Sequence, residues 1–445
     1  MRKERPDPPA ARLVRGVARG RGLGRWKALQ TFLTFSREDT RIMERFRLRC
    51  SVQLAYAAAL AISLPACTGS GLPARPAAQE ANVRRSGGSL GPVVTSQFGG
   101  QIFGWDMDQN GNDGVLTETV LGSKVLNAIE TFDESTGKIT KIVQKTQRVN
   151  ANVEPVVDAV AGNDVGIVDV ERDEDLTRND YFDLIDPVTG NRITGRTKPR
   201  HIAGVVPNFV TNNQTSSNQI MMALYPNKRG DDAVGLYTYD TVRNAWGKRV
   251  AFPRAFLFEN GFPNYAAVDA KTNEAVVGYL GRSRYNPHES ATFYVMDAAT
   301  GNHLRSFYGV GFGFPNGMAI DPTTDTMCTT TTGDTDVEFY NLSTGKGKAV
   351  QIPIFYDKGP LTNGAAVAAD PIHHLFLIAQ LDSTFSPTGS TVIVYDEHGK
   401  LVEYINGFNF LSRYSVVVPH LAVNPSSRTG YVNGPNLNQL QEFTY

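Results

Sequence analysis

The chain is 445 residues long, 41% apolar and 20% charged, a composition that belongs to a folded globular protein and excludes an intrinsically disordered one. Its formal net charge is zero, but residues 1–66 carry 14 Lys/Arg against 5 Asp/Glu, which leaves 30 basic against 39 acidic residues in the rest. A mildly acidic body argues against nucleic acid as a partner, because phosphate binding needs a basic face.

Residues 1–42 are Arg- and Pro-rich, and read either as a stretch upstream of a true start at Met43 or as a disordered basic arm. From Met43 the chain runs MERFRLRC, then SVQLAYAAALAISL, then PAC: a positive n-region, an apolar core of 14 residues and a small-residue cleavage zone. Residues 43–66 are therefore expected to be a signal peptide, since a membrane span needs roughly 20 apolar residues. Leu64-Pro65-Ala66-Cys67 resembles the bacterial lipoprotein lipobox. That resemblance implies cleavage before Cys67, lipidation of its thiol and attachment to the membrane through the lipid alone. Pro65 departs from the usual pattern, which keeps ordinary secretion open. Thr68 stands where Asp often signals inner-membrane retention. The expected location is thus the bacterial cell envelope, in the periplasm or at the outer membrane, or outside the cell. Residues 67–89 are rich in Gly, Ser, Ala and Pro without periodicity, and read as a flexible tether.

Residues 90–445 repeat themselves. One phrase has an apolar-aromatic run, then Asp or Asn, then small residues, then Gly or another turn residue and a second run. It appears as AIETFDESTGKITKIV, YFDLIDPVTGNRI, GLYTYDTVRNAWGKRV, TFYVMDAATGNHLRSF, VEFYNLSTGKGKAV and VIVYDEHGKLVEYI. The anchors Asp133, Asp186, Asp240, Asp297, Asn341 and Asp396 are spaced by 53, 54, 57, 44 and 55 residues. Each phrase predicts a β-hairpin in which the Asx side chain caps backbone N–H groups and Gly or Asn supplies positive φ. A second phrase precedes the later hairpins: VVPNFV, GFPNYAAVDAKT, GFPNGMAIDPTT, LTNGAAVAADPI and VVPHLAVNPSS. Its small apolar residues predict a crowded inner strand that ends in a tight turn.

A period near 50 residues with about four short strands per repeat is the pattern of a β-propeller. GMAIDPTTDTM and VDAKTNEAVV resemble blades of the NHL, YVTN and gluconolactonase-like propeller families. The expected fold is all-β, a seven-bladed propeller over 90–445, with six and eight blades as alternatives. The tail HLAVNPSSRTGYVNGPNLNQLQEFTY supplies only three strands, and GPVVTSQFG (residues 91–99) is expected to close the ring as the fourth. Such a fold predicts a monomeric ligand- or protein-binding scaffold module of the envelope, its partner an envelope protein or a small molecule.

The polar residues at the starts of the inner strands, Asn208, Asn264, Asn316, Asn363 and His420, are the candidate channel ring. The gluconolactonase-like resemblance implies a divalent metal on that ring, with Glu154 of NVEPVVD as the acidic ligand and Asn264 and Asn316 as amide ligands. Asn363 stands where that family has a general-base Asp, and an amide cannot accept the proton. A metal-dependent hydrolase of small lactones or esters is therefore the alternative function, with no catalytic residue assigned.

A second candidate is WDMDQNGNDGVLTE, residues 105–118. Asp106, Asp108 and Asn110 alternate before Gly111, with Asp113 to follow, an oxygen-rich loop of the kind that wraps Ca²⁺. The plain alternative is a solvated turn. Cys50 and Cys67 fall in or beside the signal, and Cys328 is expected to be a buried apolar-like residue. His373-His374 is expected on an exposed turn, and ERDEDLTRND (171–180) and NNQTSSNQ (212–219) as solvated loops. There is no HExxH and no phosphate-cradling glycine loop.

Overall fold

The computed structural model describes residues 88–107, 113–120, 124–149, 159–162, 165–170, 181–185, 205–212, 220–226, 235–240, 245–246, 250–251, 263–269, 271–279, 292–298, 302–310, 314–332, 336–351, 364–380, 390–408 and 421–445. The expected signal segment and all but the end of the tether lie outside them, as do the loops 171–180 and 213–219. Among the described residues every regular element is a strand.

β1 (Leu90–Thr95) is followed by a sheet of β2 (Gln101–Met107), β3 (Asp113–Val120), β4 (Lys124–Asp133) and β5 (Lys138–Val149). A three-stranded sheet holds β6 (Ala159–Gly162), β7 (Val165–Val170) and β8 (Tyr181–Ile185). The next holds β9 (Val205–Asn212), β10 (Ile220–Pro226) and β11 (Gly235–Asp240), with β12 (Ala245–Trp246) and β13 (Val250–Ala251) both pairing β11. Three sheets of four strands follow. They are β14 (Pro263–Asp269), β15 (Glu274–Tyr279), β16 (Thr292–Asp297) and β17 (His303–Tyr308); β18 (Phe314–Asp321), β19 (Thr326–Thr332), β20 (Asp336–Asn341) and β21 (Lys346–Gln351); and β22 (Gly364–Asp370), β23 (Leu375–Gln380), β24 (Ser390–Asp396) and β25 (Leu401–Phe408). The last sheet is ordered β1-β28-β27-β26, with β26 (Leu421–Asn424), β27 (Thr429–Asn433) and β28 (Gln439–Thr444). All pairings are antiparallel, and β1 meets β28 with Val94 opposite Leu440 and Thr95 opposite Gln439.

First strands lie beside first strands: β2 against β6, β6 against β9, β9 against β14, β14 against β18, β18 against β22, β22 against β26 and β26 against β2. Small residues allow this crowding. A Cβ on Gly317 would stand 2.9 Å from the Val367 backbone N on the neighbouring strand, so the glycine that follows Pro315-Asn316 is fixed by close backbone approach.

Second strands are buried on both faces where their side chains are described. Ala275, Val276 and Val277 of β15 and Leu377, Ile378 and Ala379 of β23 are all fully buried, so these second strands read as continuous apolar runs instead of alternating ones. Outer strands alternate: β17 and β21 are mostly exposed. Two of the seams between sheets have apolar clusters at their centres. Phe293 and Val295 of β16 pack with Met318, Ile320, Met327 and Tyr340, while Cys328, Phe339, Phe376, Ile378, Ile393 and Tyr395 fill the next seam.

Turns have the capping expected of them. Asp133 Oδ1 accepts from Thr136 N at 2.8 Å, and Asn341 Oδ1 from Thr344 N at 3.0 Å. Gly137, Gly345 and Gly399 close these hairpins at φ of 66°, 65° and 64°. The turns after inner strands follow a second rule. Asp269, Asp321, Asp370 and Asn424 are fully buried and accept backbone N–H groups of the turn. Four residues later Asn273, Asp325, His374 and Arg428 each take φ near 56° without being glycine.

Candidate functional site

Three of the candidate ring residues share a backbone feature. In β9 the pairing passes from Phe209 to Pro207 and skips Asn208. In β14 it passes from Pro263 to Tyr265 and skips Asn264, and in β18 from Pro315 to Gly317, skipping Asn316. The three asparagines thus occupy one β-bulge position on three successive inner strands, at the end opposite the Asx-capped turns. A bulge re-aims the residue it leaves unpaired and is common beside functional sites. The same bulge falls on Phe103 in β2 and on Ala365 in β22. Ala365, five positions before Asp370, is the residue in register with Asn316, five before Asp321. Asn363 precedes the first residue of β22 and His420 the first residue of β26; both lie outside the described residues, as does Glu154.

In the proposed cation loop, Asp106 near the end of β2 accepts from Met107 N through Oδ1 at 2.9 Å. Asp113 opens β3 opposite Asp133 of β4. Asp108 and Asn110, between Asp106 and Asp113 in sequence, lie outside the described residues, as does Cys67. No group of three His, Cys, Asp or Glu side chains that could hold a metal occurs among the described residues.

Cys328 is buried, and burial, with Glu338 nearby, pushes its thiol well above the ordinary range. It is an apolar-like residue of the seam and no nucleophile at neutral pH. His373 and His374 do sit on the turn after β22, with side chains 36% and 44% exposed. Each is also tied down: His373 Nδ1 to Asp370 Oδ2 at 2.8 Å, and His374 Nδ1 to Asp321 Oδ2 at 3.0 Å. The second contact crosses to the neighbouring sheet. Capping residues make other cross-sheet ties at this end: Tyr445 Oη donates to Asp370 Oδ2 at 3.1 Å, and Asn424 Nδ2 to Glu134 Oε2 at 2.9 Å. Between the sheets of β14 and β18, Arg305 is held bidentately by Glu274, and the Arg305 Nε donates to Leu342 O at 2.9 Å.

Sequence reasoning passed over a pair of buried acids, Glu118 of β3 and Glu130 of β4, that are 1% and 0% exposed. Phe98 N donates to Glu118 Oε1 at 2.8 Å, Gly100 N to its Oε2 at 2.9 Å, and Gln97 N to Glu130 Oε2 at 3.0 Å. Burial first, and then the neighbouring Glu118, push the Glu130 carboxyl up to about 8. The pair grips the segment between β1 and β2. A second acid of this kind, Glu338 of β20, holds the same place three residues before its hairpin Asx. It accepts from Tyr340 Oη, and burial together with that acid raises the phenol far above its usual range.

No protein-family model matches the chain, and no curated protein matches it. Many solved chains match in structure. One is the beta-propeller domain of Cps50 (Swd1) from Myceliophteria thermophila, at a TM-score of 0.54 and 11% identity, covering 80% of this chain and 99% of that one. Likeness at that identity shows the fold alone: the chain is a β-propeller.

Proposed function

We propose that the chain is an exported, lipid-anchored β-propeller that serves as a ligand- or protein-binding scaffold module of the bacterial cell envelope. In this reading the sheets are seven blades of one ring that β1 closes, Cys67 carries the lipid, and residues 67–89 tether the ring to the membrane. The observation that carries the binding role is the set of bulges at Asn208, Asn264 and Asn316 on successive inner strands. Amides offer both a donor and an acceptor without charge, which suits a polar neutral ligand or a peptide backbone. The loop with Asp106, Asp108, Asn110 and Asp113 would hold Ca²⁺ as a structural ion through oxygen ligands.

The rival is a metal-dependent hydrolase of lactones or esters, with the ion on Glu154, Asn264 and Asn316. The bulge register weakens its fourth position, because Ala365, and not Asn363, is equivalent to Asn316.

The thermal midpoint of the full chain with Ca²⁺ and with chelator separates the two, run beside Asp106→Ala/Asp108→Ala and Asn316→Ala. An ion at 100 times its Kd stabilises by about 2.7 kcal/mol. The scaffold reading expects that shift to vanish in the Asp variant and to survive in Asn316→Ala, with no turnover of lactones or esters. A shift lost in Asn316→Ala together with ester turnover overturns it in favour of the hydrolase. Intact mass of the mature protein tests the anchor: a lipidated N-terminal Cys67 supports it, and any other terminus refutes it.

A further inference from the structure

Glu118 and Glu130 sit on one face of their sheet. Glu130 is opposite Leu116 and Glu118 opposite Ala128, and that face packs, through Leu116 and Phe132, on Tyr431, Leu440 and Val94 of the sheet containing β1. Beside them, Ser96 N donates to Asn438 O at 3.0 Å and Ile102 N to Leu437 O at 2.8 Å. The segment 96–101 is therefore the joint where β1 hands over to β2, and the two carboxyl groups receive its inward N–H groups.

We propose that the Glu118–Glu130 pair is a proton-held latch on this joint, tight in mildly acidic surroundings and looser as the pH rises. Two buried carboxyl groups on one face of a sheet resist ionising together, and the latch keeps one proton on Glu130, as its burial and the neighbouring Glu118 favour. Removing that proton puts two like charges side by side in the seam, and the segment must open to admit water. The other charged groups on the elements packed against the pair are Asp106 of β2, Asp113 of β3, Lys124 and Asp133 of β4, Lys138, Lys141, Lys145 and Arg148 of β5 and Glu442 of β28. Among the described residues, Glu118 is the charged group whose field reaches Glu130.

The sign follows from the proton count. The closed joint holds a proton up to about pH 8, whereas an open one releases it above the ordinary value of 4.5. Between those limits the opening equilibrium rises by up to about tenfold per pH unit, and above them it levels off.

The test is amide hydrogen exchange of Gln97, Phe98 and Gly100 in the full chain, divided by the intrinsic exchange rate at each pH. Opening in the wild type is expected to rise about 100-fold between about pH 6 and about pH 8 and then flatten, with the amides of β23 unchanged. Glu130→Gln keeps the shape of the protonated pair and should abolish the slope. Glu118→Gln removes the neighbouring charge and should move the plateau to lower pH. A variant that only loosens the fold would raise exchange without altering the slope. A flat wild-type profile, a wild-type slope retained in a folded Glu130→Gln, or a plateau left in place in a folded Glu118→Gln overturns the latch.

Discussion

Where the sheet of β18–β21 meets that of β22–β25 the seam is apolar, with Phe339 and Phe376 edge-to-face at 5.7 Å and Tyr395 beside them. The seam between the β1-containing sheet and the β2 sheet has its own aromatic centre in Trp105, Phe132 and Tyr431, but buries Glu118, Glu130, Glu134 and Glu442 around it. The first seam joins sheets that follow one another along the chain. The second joins residues as far apart as Asn424 and Glu134, 290 positions in sequence. Apolar packing tolerates small shifts and ignores protons. A network of buried acids is satisfied in one register only, because a slip strands a carboxyl without its donor. The seam with four buried acids lies where segments far apart in sequence must find each other.

The largest effect should come from the apolar seam. Phe376→Ala removes a fully buried ring and should cost about 3–5 kcal/mol in denaturant unfolding. The loss should be equal at about pH 6 and about pH 8, because burial raises both the Cys328 thiol and the Tyr395 phenol beyond that window. A loss that changes with pH would erase the contrast between the seams.

Asn424→Ala comes next. It takes the amide donor from Glu134 while both groups are buried, and a buried acceptor left without that donor costs about 1–3 kcal/mol. A double-mutant cycle with Glu134→Gln should show coupling, and additive losses would mean that the bond does not join the two sheets.

Turn geometry separates the hairpin turns from the inner ones more finely. Gly345 lies at φ 65°, and a Cβ there would meet Phe307 at 3.1 Å, so Gly345→Ala should cost about 1–2 kcal/mol. Asn273→Gly at the matching inner turn should leave the unfolding midpoint nearly unchanged, since the native backbone already accepts a side chain there.

The repeat was legible because turn chemistry is local. Asp133, Asn341 and Asp396 announce their hairpins by residue type, and a glycine follows each at positive φ. The left-handed residues of the inner turns were harder to see, because Asn273, Asp325, His374 and Arg428 share a backbone position and not a residue type. Bulges leave still less trace. Asn363 looks equivalent to Asn316 by its neighbours, yet counting back from Asp370 lands on Ala365. Glu118 and Glu130 were missed for a different reason. In DGVLTETV and AIETFD, acids beside apolar residues read as the solvent face of a half-buried strand. In a propeller the inner three strands of a sheet are covered on both faces, so alternation no longer tells inside from outside.

The most direct test of the account is a covalent bond between the two ends of the chain. Thr95 of β1 and Gln439 of β28 are register partners, and Gln439 Nε2 reaches Thr95 Oγ1 at 3.3 Å on the exposed side. Directly opposed antiparallel residues have Cα atoms about 4.5–5.5 Å apart, within reach of a disulfide. Thr95→Cys/Gln439→Cys should form that bond under mild oxidation in the folded full chain, and its unfolding midpoint should rise above that of the reduced form. A folded double variant whose two thiols stay free would contradict the pairing of β1 with β28, and with it the ring that the proposed function requires.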